Sequence, residues 1–219
     1  MARLSSMKYS PEILKILNKR YPQKGDMDLG NPEDSLIATI MSAQTTDAQV
    51  LKMFPGFRNK FPNWQSLAKA NQEDIATAMN TIGLYRNKAK SIKALAQKII
   101  ADHNSKVPSS MEELITLPGV GRKTASCVLS ACFNQPAIAV DTHVFRISHR
   151  LGWTKGKDAI KVEKELAKLV PQKSWSSINR TFVHFGRDIC KARGPRCTIC
   201  PIAKYCEYPG KELAKKNVS

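Results

Sequence analysis

A lysine stands at the mouth of a glycine-rich turn, Leu117-Pro118-Gly119-Val120-Gly121-Arg122-Lys123. An amine is a nucleophile only when uncharged, and from a reference pKa near 10.4 about one lysine in a thousand is neutral at pH 7. Lowering that pKa by about three units, roughly 4 kcal/mol, takes desolvation and a cationic neighbour such as Arg122. The glycines allow positive φ and let main chain come close to a ligand, while the helix opening at Arg122 offers amide N–H groups and a positive dipole end. Together these hold an anion such as a DNA phosphate without touching a base. A tight connection between packed helices has the same sequence, so the turn alone leaves both readings open.

A second group of reactive side chains lies near the end of the chain. Cys190, Cys197, Cys200 and Cys206 are separated by six, two and five residues, a spacing that lets four thiolates converge on one metal centre. Disulfides are the competing reading, disfavoured by an intracellular setting and by two further cysteines, Cys127 and Cys132, on a helix with no evident partner. Cys132 falls on an apolar stripe and reads as core. Spacing alone leaves the metal open. The first interval carries Lys191, Arg193 and Arg196, so a metal centre there would also stiffen a basic loop.

The elements that must position these groups read as helices. "SPEILKILNKR" opens with Ser10 as cap and Pro11 at the first helical position, ending at Pro22, and "NPEDSLIATIMSAQ" repeats the pattern at Asn31 and Pro32. Leu36 to Met41 is apolar on nearly every side; the cap and early acids favour a buried helix over a buried strand. Ile92, Leu95, Ala96 and Ile99 form an apolar stripe, as do Ala125, Val128, Leu129 and Cys132, and Val162, Leu166, Leu169 and Val170. Each stripe needs a covering neighbour, which predicts an all-α, two-lobed protein. "TIGLYRNKA" (81–89) overlies "TLPGVGRKTA" (116–125) with one gap, and both read as a glycine turn entering a basic helix.

The 219 residues are 42% apolar, enough to bury a core, and carry 35 Lys+Arg against 18 Asp+Glu, a net charge of +17. Charge this lopsided points to a polyanionic partner. "MARLSSMKYS" has no apolar h-region, and no run approaches the ~20 apolar residues of a membrane span. The expectation is a soluble, cytoplasmic, nucleoid-associated protein.

"LPGVGRKTA", then "AVDTHVFR", then the cysteine tail resemble the endonuclease III family of helix-hairpin-helix DNA glycosylases, in that order and over nearly the whole chain. The resemblance implies a six-helix barrel domain over 26–136 and an iron-sulfur domain built from 1–25 and 137–219, with the flipped nucleotide in the cleft between. It implies base excision repair of oxidised pyrimidines of the thymine glycol type in duplex DNA, followed by strand nicking, by a monomer. Lys123 matches the nucleophile that attacks the deoxyribose C1′, and Asp141 the carboxylate that supports the developing charge and helps activate the amine. The four tail cysteines match the ligands of a 4Fe-4S cluster. Gln44 resembles the residue that fills the gap left by the flipped nucleotide, and Leu84 the wedge in the opposite strand. Gly119, Val120, Gly121, Arg122, Lys191, Arg193 and Arg196 would hold DNA, and Asp47 and His143 would line the lesion pocket.

Leu51 and His149 stand where the family usually has asparagine, which touches lesion preference or local packing rather than the reaction. Asp141 is also placed to cap a helix, an effect of ~1 kcal/mol. A monofunctional adenine mismatch glycosylase usually lacks the hairpin lysine, and a non-catalytic DNA-binding scaffold would need no amine, so Lys123 separates the three readings.

Overall fold

The computed structural model describes residues 10–21 and 29–210, and among these every regular element is helical, with no strand. The stretch before Ser10, Pro22 and the expected boundary between residues 25 and 26 lie outside the described residues. By its contacts the chain divides into two compact units, Gly25–Gln135 and Met1–Lys24 with Pro136–Ser219. The first described helix, α1 (Ser10–Arg20), belongs to the split unit.

In the unit of residues 25–135, α2 (Pro32–Ser42) starts where Asn31 accepts from the Asp34 N–H at 2.8 Å, which satisfies one of the helix's orphan donors. Every residue from Ser35 to Met41 is buried, so α2 is the central post of this unit. Around it run α3 (Asp47–Lys60), α4 (Trp64–Lys69), α5 (Gln72–Ala78), α6 (Tyr85–His103), α7 (Met111–Leu114) and α8 (Arg122–Cys132). Helix α2 packs on α8, α3 and α6, while α6 also covers α4 and α5. The stripe Ile92, Leu95, Ala96 and Ile99 is completely buried, as is most of Ala125, Val128 and Leu129. Burying an aliphatic side chain of this size stabilises by about 1.5–3 kcal/mol. Cys132, expected in the core, is only half-buried at the stripe's end.

The second unit has its own core, with Ile13 and Leu17 of α1 against Val144 and Ile147 of α9 (Thr142–Arg150), Val162 and Leu166 of α10 (Ala159–Leu169), and Phe182 and Phe185 of α11 (Trp175–Asp188). Single 3₁₀ turns follow at Cys197–Ile199 and Ala203–Tyr205. Ser10, expected to cap α1, is buried inside its first turn, and its hydroxyl donates to the Leu169 carbonyl at 3.3 Å. Tertiary contact has taken the hydroxyl that local capping would have used. His149 sets Nδ1 2.7 Å from the Phe145 carbonyl and Nε2 3.0 Å from that of Gly156. The residue that departs from the family pattern thus fastens α9 to the following turn.

Candidate functional site

The turn that raised the first question joins α7 to α8. Ser110 caps α7, accepting from the Glu113 N–H at 3.2 Å. Gly119 takes φ of +78°, and a Cβ there would stand 2.9 Å from the Ser91 Cβ on α6. Glycine is therefore required by both backbone conformation and close approach. Gly121 is the N-cap of α8 at φ −94°, no side chain caps the helix, and no atom lies within 4 Å of where its Cβ would be. An uncapped N-terminus with open space before it can accept an anion. Val120 is buried with 6% of its surface exposed, so it can meet a ligand only through main chain. Arg122 is half-buried, and Lys123 is exposed on the same first turn.

Gln44 and Leu84 lie on two further turns of this unit. Both have φ of +56°, a left-handed conformation that costs a non-glycine residue about 1–2 kcal/mol. Both are exposed, and Leu84 keeps 54% of its surface open to solvent, an unusual position for a large apolar side chain. The turns touch: a Cβ on Gly83 would stand 3.6 Å from the Gln44 carbonyl oxygen, and the Gln49 amide donates to the Thr81 carbonyl. Asp47, half-buried, opens α3 just after the Gln44 turn.

In the other unit Asp141 is the N-cap of α9, its Oδ1 accepting from the Val144 N–H at 2.8 Å. The cap leaves Oδ2 uncommitted to that bond. The run before it, Ile138 to Val140, is buried, and the Ala139 carbonyl accepts from Asn179 Nδ2 on α11 at 2.8 Å. His143, two residues on within the first turn, receives a bond from Arg146 Nη2 at its Nδ1, 3.1 Å away. Because guanidinium can only donate, Nδ1 must be unprotonated and the ring proton sits on Nε2. Burial lowers the His143 pKa, opposed by the charge of Asp141 and reinforced by Arg146 and Arg187, so the neutral donor form is favoured. Gly186 on α11 makes room: a Cβ there would lie 2.3 Å from His143 Nδ1.

The far end of α9 grips the cysteine segment. Arg146 donates to the Cys190 carbonyl from Nη2 at 3.0 Å, while Arg150 donates to the carbonyls of Lys191 at 2.7 Å and Ala192 at 3.1 Å and to Cys190 Sγ at 3.3 Å. The Arg150 guanidinium also lies over the Tyr208 ring, 4.4 Å from its centroid. Cys190, Cys197, Cys200 and Cys206 line one pocket, otherwise walled by apolar side chains, Arg150 and Tyr208. No disulfide joins them. Burial pushes the Cys200 thiol up to about 11, and the other three cysteines add to the rise. Four soft sulfur donors that repel one another once ionised fit a metal centre whose positive charge offsets that repulsion. As the side chains stand, no group of three or more His, Cys, Asp or Glu among the described residues is drawn tight enough to grip an ion. Arg193 and Arg196 are exposed and Lys191 half-buried, with Arg196 Nη1 3.9 Å from Asp188 Oδ1.

Sequence reasoning passed over Arg146 and Arg150, and also Lys88 on α6 in the other unit. Arg146 and Arg150 follow His143 at helical spacing, a signal that one face of α9 acts together. Lys88 gave none, since a lysine in "RNKAK" reads as solvated, yet only 6% of it is exposed.

Residues 37–172 match the model of the HhH-GPD superfamily of base excision DNA repair proteins. Endonuclease III of Synechocystis sp. is 42% identical over 204 residues, covering 92% of this chain and 93% of that protein, and endonuclease III of Bacillus subtilis is 43% identical over 189 residues, covering 86% of each. A solved structure of a trapped covalent endonuclease III–DNA intermediate, an estranged-adenine complex, superposes with a TM-score of 0.87 at 38% identity, over 97% of this chain and 99% of that one. With its all-helical architecture and its glycine hairpin, the chain belongs to the endonuclease III family within the HhH-GPD superfamily of base excision DNA repair proteins.

Proposed function

We propose that this protein is a bifunctional DNA glycosylase and AP lyase that excises oxidised pyrimidines of the thymine glycol type from duplex DNA and then nicks the strand. The observation that carries the reading is the placement of Lys123 on the first turn of an uncapped helix, directly after a turn built for main-chain contact with phosphate. The amides around Gly119 to Arg122 hold the backbone, irrespective of sequence. Gln44 and Leu84 occupy the gap and the opposite strand once the nucleotide leaves the stack. Lys191, Arg193 and Arg196 add phosphate contacts, and Asp47 and His143 line the lesion pocket, His143 offering Nε2–H.

In the reaction the neutral Lys123 Nζ attacks C1′, the glycosidic C–N bond breaks, and the base departs with the bonding electrons and takes up a proton. The nitrogen then loses one of its two protons, the C1′–O4′ bond breaks with O4′ taking up a proton, and the opened sugar is held as an N-protonated iminium. Loss of the C2′ proton then expels the 3′ phosphate by β-elimination. Asp141 stabilises positive charge developing on the sugar and receives a proton from the amine. Cys190, Cys197, Cys200 and Cys206 would hold a 4Fe-4S cluster, which when bound supplies a four-point thiolate link across this segment and a one-electron redox centre. We read 26–136 as the six-helix barrel domain and 1–25 with 137–219 as the cluster domain. With a charge of +17 and no described helix long and apolar enough to cross a membrane, the reading is of a cytoplasmic monomer working on nucleoid DNA.

Borohydride reduction on abasic duplex should trap a covalent complex with the wild-type chain and none with Lys123→Ala. Base release without strand scission would instead mark a monofunctional glycosylase, and binding without either would mark a scaffold.

A further inference from the structure

Lys88 is a buried cation on α6 whose role nothing above explains. Its Nζ donates to the Met41 carbonyl at 2.7 Å and to the Thr45 hydroxyl at 3.0 Å, and none of these described acceptors is a carboxylate. Met41 lies in the last turn of α2, where carbonyls lack helical partners and the macrodipole is negative. Thr45 lies in the turn that follows, next to Gln44, and its hydroxyl also borders Gly83 at 3.8 Å from the position of a Cβ. Lys88 itself lies one helical turn beyond Leu84, whose carbonyl accepts the Lys88 N–H at 3.1 Å. One side chain therefore ties together the two turns that hold Gln44 and Leu84 in left-handed conformations. Three residues further along α6, Ser91 meets the turn at Gly119.

We propose that Lys88 is a positioning residue for strand opening: its ammonium locks the Gln44 turn to the Leu84 turn, so that the gap-filling and wedge side chains enter DNA as one preset pair. This rests on the reading of Gln44 and Leu84 given above. Strained residues persist only when their surroundings over-determine them, and the two Lys88 bonds supply that constraint on one side of the pair. Burial lowers the Lys88 pKa, in keeping with a cation held for geometry and not for surface charge. Without the clamp the pair must be ordered during binding, which slows base extrusion but leaves the amine chemistry untouched.

The test compares single-turnover excision of thymine glycol from a fully paired duplex with incision of a single-stranded abasic oligonucleotide, which needs no strand opening. Lys88→Met keeps the side-chain stem and removes the ammonium. The ratio of duplex excision to single-strand incision should fall about a hundredfold, the scale expected for a displacement near 1 Å. In a Gln44→Ala, Leu84→Ala background, adding Lys88→Met should cost nothing further, because the pair it positions is gone. An additive loss, or an unchanged ratio, overturns the proposal. If Lys88→Met melts, Thr45→Val, which removes one acceptor, should give a smaller drop in the ratio with the same non-additivity, and additivity there is equally fatal. Full duplex excision by the Gln44→Ala, Leu84→Ala chain would remove the wedge reading itself, and the proposal with it.

Discussion

Replacing each hairpin glycine by alanine should give opposite results, because the two glycines are needed for different reasons. At Gly119 the new Cβ meets a left-handed backbone of φ +78° and a Cβ 2.9 Å away on Ser91. The conformation costs about 1–2 kcal/mol and the overpacking about 1–3 kcal/mol, together about 2–5 kcal/mol. For a chain of this size that lowers Tm by about 4–20 °C. At Gly121 φ is −94° and nothing lies within 4 Å of the added methyl, so stability should change by about 0.5 kcal/mol or less. The methyl would instead occupy the space through which a phosphate reaches the first amides of α8. Gly121→Ala should therefore melt like wild type yet bind abasic duplex about tenfold more weakly, the equivalent of one lost hydrogen bond to a charged group. Thermal melts and fluorescence anisotropy across a salt series measure both quantities. Wild-type affinity in Gly121→Ala would refute the phosphate reading of the turn, and a wild-type melt in Gly119→Ala would refute the packing geometry.

Asp141→Asn should retain the cap, since asparagine serves as well as aspartate there, so Tm should hold while single-turnover excision falls at least a hundredfold. His143 is held in its neutral form, its folded pKa below the ordinary 6.5. As pH falls the unfolded chain takes up this proton first, so the stability it contributes is complete above about pH 6.5 and is lost as pH drops through the folded value. Melts of wild type and His143→Gln from pH 8 to 4.5 should show a smaller acid-side loss in the variant. Arg150→Lys keeps charge but loses the fork that spans Lys191, Ala192 and Cys190, so protease should cut the 190–206 segment faster and DNA affinity should fall.

Much of the fold was legible because local chemistry and tertiary packing agree. Asn31 and Pro32 start α2 as read, and the stripe on α6 is buried without exception. The hairpin was legible because glycine is the residue that its φ demands. Where tertiary contact overrides local preference, the sequence was silent: Ser10 turned from capping its own helix to bonding Leu169. Burial of the Val120 side chain was not legible in the turn motif; it leaves main chain as the part of Val120 that can face DNA. Positive φ at Gln44 and Leu84 left no mark in residue type, since neither favours it. Lys88 was hidden for a related reason, because the acceptors that explain its burial, the Met41 carbonyl and the Thr45 hydroxyl, lie 47 and 43 residues earlier.

Helix α9 begins at the carboxylate Asp141 and ends at the guanidinium that grips the cysteine segment, nine residues and about 13 Å of stiff rod. A shift of the cysteine segment would pull on the same helix whose first turn the Asp141 carboxylate caps. Modifying the tail sulfurs should therefore be felt at the Asp141 end of the helix while the Lys123 turn, in the other unit, keeps its own packing.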